Sequence, residues 1–317
     1  QVGMGSSIAN PTWVAITATA SVFFLGKVQL LITTFFLAAP VVMMFTASQL
    51  LKRLTSNSWI SIPAAFLYAI SPVAIAAIST GHIATVLFLI LAPYLALLLR
   101  DIENIQDFTW RKIAGVSLLL ALLYGFSLMI FVIGLVAGLV STLSDYEKHA
   151  KEANSQFYLL RFQKRASLIF IPFLMNVPYS LEALTQPSRL LVEPGLLISG
   201  GGPISALLGN PGGANSLPMW LVSPILLVLI VSLFSSTHAR RIAEYGVGAL
   251  VLAVVLSALS ISTHGNEASS KVWAGPVIVL VTLAAIAAGT VLLDRLRETL
   301  VLSHVHYRHI LSALLLF

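Results

Sequence analysis

The chain holds 317 residues, 58% of them hydrophobic and only 9% charged, with a mean hydropathy of +0.94; a soluble domain carries about 25% charged residues. A soluble core does not fit, and neither does a strand barrel, because the apolar runs are long and do not alternate. Backbone polar groups in hydrocarbon must be satisfied internally, and such runs do that only as helices.

The net charge of +6 and the pI near 9.7 are spread too thinly along the chain for a nucleic-acid surface. In a membrane protein they read as orientation signals and headgroup contacts. Cysteine is absent, which excludes disulfides, thiolate metal sites and iron–sulfur clusters.

The chain opens at Gln1 rather than Met, without a signal peptide, and His309 to Phe317 reads as the first turns of a further apolar helix. Both ends read as cuts, so the expectation is one transmembrane domain over residues 1–317, a fragment of a longer chain. Residues 12–26 are too short to span and predict a re-entrant or interfacial helix on the outer side. Apolar stretches then fall at about residues 28–50, 58–79, 83–99, 113–143, 165–182, 217–236, 242–262 and 271–293, most of them near the roughly 20 residues needed to cross about 30 Å of hydrocarbon.

The 113–143 run is too long for one untilted helix, and charge decides how it divides. If it turns near Tyr124, Gly125 and Phe126, 15 of the 18 Lys and Arg residues gather on one side, leaving Lys27, Arg189 and Lys271 on the other. A single helix there scatters them across both faces, against the positive-inside rule. The predicted fold is therefore an all-α polytopic bundle of about nine to eleven membrane helices, nine of them complete crossings, in the plasma membrane with its basic loops cytoplasmic. Pro40, Pro63, Pro72, Pro93, Pro172, Pro178, Pro224 and Pro276 lie inside or near the ends of predicted spans. Each removes a helix hydrogen bond, which membrane helices tolerate when a neighbour re-satisfies the freed carbonyl.

Two loops stand apart. Residues 144–165 mix Phe157, Leu159, Leu160 and Phe162 with Lys and Arg, as expected of an amphipathic segment on cytoplasmic headgroups. Residues 182–218 form an external loop rich in Gly, Pro and Ser, with Arg189 and Glu193 on a face otherwise nearly stripped of charge.

The sequences VGMGSS (residues 2–7), LYAISPVAIAAISTGHIATVLFLILAPYLALLL (67–99), QPSRLLVEPGL (186–196) and LLGNPGGANSLPMWL (207–221) resemble the membrane region of large actinobacterial glycosyltransferases. Those proteins join a family-two glycosyltransferase domain to many membrane helices and are related in pattern to arabinofuranosyltransferases of the GT-C class. The resemblance implies a GT-C-like bundle that takes a sugar from a polyprenyl-phosphate donor at the outer membrane face and passes it to an envelope polysaccharide. It implies membrane lipid and lipid-linked glycan as partners, other membrane subunits beside them, and no cofactor or metal. Where the family has Gly-Arg-x-Gly-Thr this chain reads Gly81, His82, Ile83, Ala84, Thr85. The family's catalytic acid lies upstream of the matched region, and no residue here corresponds to it.

Sugar transfer from such a donor needs a base for the acceptor hydroxyl and a cation for the departing phosphate. On the outer face Glu193 is the candidate base and Arg189, His82 and Glu182 the candidate substrate contacts, the guanidinium of Arg189 matching phosphate with a planar fork. The alternative is structural: Arg189 and Glu193 are four residues apart and suit an i,i+4 pair on a short external helix, and His82 suits a helix end facing headgroups. His304, His306 and His309 suggest a metal cluster, against which a solvated juxtamembrane segment is the plainer reading. Glu244, near the start of a span, needs only to snorkel. The Gly200, Gly201, Gly202 run lacks the Lys-Ser/Thr ending of a phosphate-binding loop and reads as a flexible loop. A lipid-linked glycan flippase and a non-catalytic scaffold remain as alternatives, although the predicted span centres lack the ionisable residues typical of coupled transporters.

Overall fold

Runs of Leu, Ile, Val and Ala offer no side-chain group to compete with the backbone, and in this chain they fold as helices. The computed structural model describes residues 11–302 except 56, 101–108, 150–154, 187, 194–199, 214–218, 236 and 263–268. The Val2 to Ser7 motif, the tenth helix predicted at the C-terminus, and His304, His306 and His309 lie outside the described residues.

Helix α1 (Thr12–Ser21) continues as a 3-10 turn to Phe24 and ends where Leu25 and Gly26 take positive φ. Then follow α2 (Val28–Leu54), α3 (Ser58–Ala69), α4 (Pro72–Thr80), α5 (Ile83–Arg100), α6 (Trp110–Phe126), α7 (Met129–His149) and α8 (Ser155–Met175). Three short helices, α9 (Tyr179–Thr185), α10 (Ser188–Leu191) and α11 (Pro203–Leu207), lead to α12 (Met219–Leu233) and α13 (Thr237–Ala258). An antiparallel ribbon of β1 (Ser260–Ser262) and β2 (Ser269–Lys271) connects α13 to α14 (Gly275–Leu302).

The 113–143 run does divide: α6 ends at Phe126, Ser127 is extended, and α7 starts at Met129. The boundary predicted at residue 165 is different. Helix α8 passes without a break from Ser155 through Arg165 to Met175, so the later part of the predicted 144–165 surface segment forms the leading turns of that helix. At its far end the backbone bends by 100° into α9.

Among the described residues, length and apolarity together single out four helices able to cross a membrane, at Val28–Leu54, Ser58–Thr80, His238–Ala258 and Gly275–Thr299, or five if the bent α8–α9 pair is one span. The sequence count of nine to eleven is not reached by this measure. Ile83–Leu99, Met129–Leu143 and Ser223–Leu233 are apolar but shorter.

Helix α14 is the centre of the bundle, in contact with α2, α3, α4, α5, α7, α12 and α13. Its inner residues are small or β-branched, including Val277, Ile278, Val281, Ala285 and Ala288, which lets neighbouring backbones come close where no hydrophobic driving force separates helix from lipid. Gly246 of α13 shows how close: a Cβ there would lie 2.7 Å from Leu229 and 2.9 Å from Ala284. Helix α2, by contrast, is mostly exposed, presenting Leu37, Val41 and Phe45 outward.

Proline inside α5 is accommodated by a neighbour. Pro93 has no N–H to offer the carbonyl of Leu89 one turn earlier, and the buried hydroxyl of Tyr68 in α3 donates to that carbonyl at 2.8 Å. Tyr68→Phe therefore strands a buried acceptor, and thermal unfolding of the purified protein in detergent should show a loss of about 1–3 kcal/mol.

Candidate functional site

The site starts from a helix break. Helix α4 ends at Gly81, which takes φ 79°, a left-handed conformation that glycine adopts without Cβ strain. His82 donates its backbone N–H to Ala77 and accepts from Val86, so it closes one helix and opens the next. The first N–H groups of α5 have no partner within the helix and carry the positive end of its dipole.

Glu193 fills that position from 109 residues away. Its Oε1 accepts from the Ala84 amide at 2.6 Å, and its Oε2 lies 2.6 Å from His82 Nδ1. A carboxylate only accepts, so Nδ1 carries the hydrogen and donates it. The pair is almost wholly inside the protein, with His82 1% and Glu193 9% exposed. Trp273, just before α14, stacks on the imidazole with ring centres 3.8 Å apart and planes 11° from parallel. Its indole N–H donates to Thr85 Oγ1 at 3.1 Å, which fixes the ring that covers His82. Among the described residues, His82 Nε2 is buried with no hydrogen-bond partner.

The glycines of the 182–218 loop explain how the chain fits over this cluster. Gly200 donates to the Lys271 carbonyl and Gly201 to that of Pro211. A Cβ on Gly200 would strike the Val272 carbonyl, and one on Gly212 would strike the Gly201 backbone. Gly213, with φ 104°, passes so near Thr80 and Trp273 that a Cβ would sit 2.8 Å from the Thr80 methyl. The run predicted as a flexible loop is here a close backbone crossing that holds 200–213 against β2 and Trp273.

Arg189 and Glu193 do not form the i,i+4 pair that their spacing suggested. Helix α10 lasts one turn and ends at Leu191, so Glu193 leaves the helical path and turns inward. Arg189 Nη1 instead donates to Glu182 Oε1 of α9 at 3.1 Å, with both side chains about a quarter exposed. The four predicted site residues thus form two pairs, His82 with Glu193 and Arg189 with Glu182, and the single residue Val192 separates the end of α10 at Leu191 from the buried carboxylate. Glu244 pairs with Arg240 on the exposed surface of α13, a contact of small energetic weight.

Trp273 and Thr85 were not singled out from the sequence. A tryptophan at the start of an apolar run reads as an interfacial anchor, and only the stacking reveals its second use. Compared with family models, curated proteins and solved structures, the chain matches none.

Chemically, the cluster can hold a proton and move it. The carboxylate fixes the imidazole's tautomer and orientation, leaving a lone pair at Nε2 when the ring is neutral. Burial strengthens each of these interactions relative to water.

Proposed function

We propose that this chain is the membrane-embedded part of a glycosyltransferase of envelope polysaccharide synthesis, acting at the outer membrane face on a polyprenyl-phosphate-linked sugar. The observation that carries it is the buried His82–Glu193 pair with its unpartnered Nε2, set in the end of an apolar bundle where proton-handling groups are otherwise scarce. Ionisable residues kept near hydrocarbon at such cost are functional by default.

In this reading α2, the α3–α4 pair, α5, α6, α7, α8, α12, α13 and α14 make nine crossings of the plasma membrane. The reversals between them carry His82, Arg189, Glu193 and Lys271 to the outer face and the remaining basic loops to the cytoplasm. Arg189 steadies the departing phosphate: its Nη1 donates to Glu182, and a planar guanidinium fork suits a phosphate oxygen pair. A lipid-borne donor reaches it laterally, and other membrane subunits complete the assembly.

Membranes from cells expressing Arg189→Ala should contain normal amounts of inserted protein but transfer labelled sugar from a polyprenyl-phosphate donor at a rate lower by about 10²–10³-fold, the scale for losing one charge-stabilising group. Transfer at the wild-type rate would overturn the assignment of Arg189.

A further inference from the structure

We infer that the proton acceptor of this site is Nε2 of His82, and that Glu193 is its positioning residue rather than the base itself, an inference that rests on the transferase reading above. Glu193 is the obvious base by residue type, but its geometry argues otherwise. Oε1 is held by the Ala84 amide and Oε2 by His82 Nδ1, each at 2.6 Å. Both oxygens of Glu193 are thus already engaged by donors of the protein itself, and neither faces an acceptor hydroxyl without giving up one of those bonds.

His82 Nε2 is the complementary case. It is the one polar atom of the pair left without a partner among the described residues, on a side chain only 1% exposed. Buried polar groups in folded proteins are nearly always bonded, so an orphan at such a place points to a ligand that supplies the missing bond. An acceptor hydroxyl that donates to Nε2 supplies that bond, and no hydrogen bond within the described residues has to break for it.

The surroundings suit the product of that transfer. In the step, the acceptor O–H bond breaks and its proton passes to Nε2. The acceptor oxygen bonds to the anomeric carbon as the bond from that carbon to the phosphate oxygen breaks, its electron pair leaving with the phosphate. The imidazolium so formed lies against the Glu193 carboxylate and face to face with Trp273 at 3.8 Å. The first balances its charge, and the indole face attracts a cation. Thr85 holds the indole in that place. The proton returns to the departing phosphate or to water once the products separate.

The inference is tested on the full protein in lipid nanodiscs with ¹⁵N-labelled histidine, His82 being assigned by the signal that His82→Gln removes. In the neutral ring of His82, Nδ1 should carry the hydrogen and Nε2 should not. Glu193→Gln presents an amide N–H₂ where the carboxylate accepted, and should reverse that tautomer.

In transfer assays, His82→Gln should lower kcat by about 10²–10⁴-fold, the range for a general base, with KM for the lipid-linked donor little changed. Glu193→Gln should lower kcat with the tautomer, whereas Glu193→Asp should retain both in part. A neutral wild-type ring with its hydrogen on Nε2, or His82→Gln transferring at the wild-type rate, would overturn the assignment of His82 while leaving the transferase reading intact. Wild-type protein that transfers no sugar from any polyprenyl-phosphate donor would overturn the transferase reading itself, and the catalytic role of His82 with it.

Discussion

Glu193→Leu should lower the unfolding free energy of the purified protein by about 2–6 kcal/mol, since stranding each of two buried donors costs about 1–3 kcal/mol. The side chain satisfies two buried donors, the Ala84 amide and His82 Nδ1, and leucine offers neither an acceptor. Two effects add to the loss: the first turn of α5 is left without a cap, and the imidazole is left without the group that orients it. Denaturant titration in detergent, followed by tryptophan fluorescence, measures the change directly because Trp273 stacks on His82. Glu193→Gln keeps an oxygen for the Ala84 amide and should lose distinctly less. Equal stability of the leucine variant and the wild type would show that the carboxylate is not holding the α4–α5 break together.

Trp273→Ala should be comparably severe, at about 3–5 kcal/mol, because it opens a cavity the size of an indole beside a buried ring. Trp273 is 5% exposed, and its removal also leaves the Thr85 hydroxyl without its donor. Trp273→Phe separates the two contributions. It keeps an aromatic face over His82 and loses the hydrogen bond, for which a loss of about 1 kcal/mol is the ordinary scale. If the phenylalanine variant were as unstable as the alanine one, the Thr85 bond rather than the stacking would be what secures this end of α14. Gly275 sets a related limit, since a Cβ there would run into the indole nitrogen.

What the sequence discloses and what it hides differ by range. Helices and the break near residue 126 are local matters, written in apolar runs and in the distribution of Lys and Arg. The charge count also put His82, the 182–218 loop and Lys271 on one face, and the structure brings them together through the Glu193–His82 and Gly200–Lys271 contacts. Pairing was another matter. The i,i+4 spacing of Arg189 and Glu193 presupposes a helix that reaches residue 193, and α10 stops at Leu191. The true partner of Glu193 lies 111 residues earlier, a separation at which no periodicity operates. Trp273 is further still from Thr85, at 188 residues. The Gly200 to Gly202 run was taken for slack chain because glycine permits both mobility and close approach, and composition does not distinguish them.

Those separations also fix an order of assembly during synthesis. The α4–α5 break leaves the ribosome long before Glu193 does, and Trp273 follows a further eighty residues on. Until Glu193 has been made, His82 Nδ1 and the open end of α5 lack the carboxylate that they bond in the folded protein. The cluster is therefore closed late, when the segment carrying α14 packs at the centre of helices made before it. Nascent chains halted before residue 273 would leave the imidazole markedly more reactive to histidine-directed reagents than it is in released full-length protein.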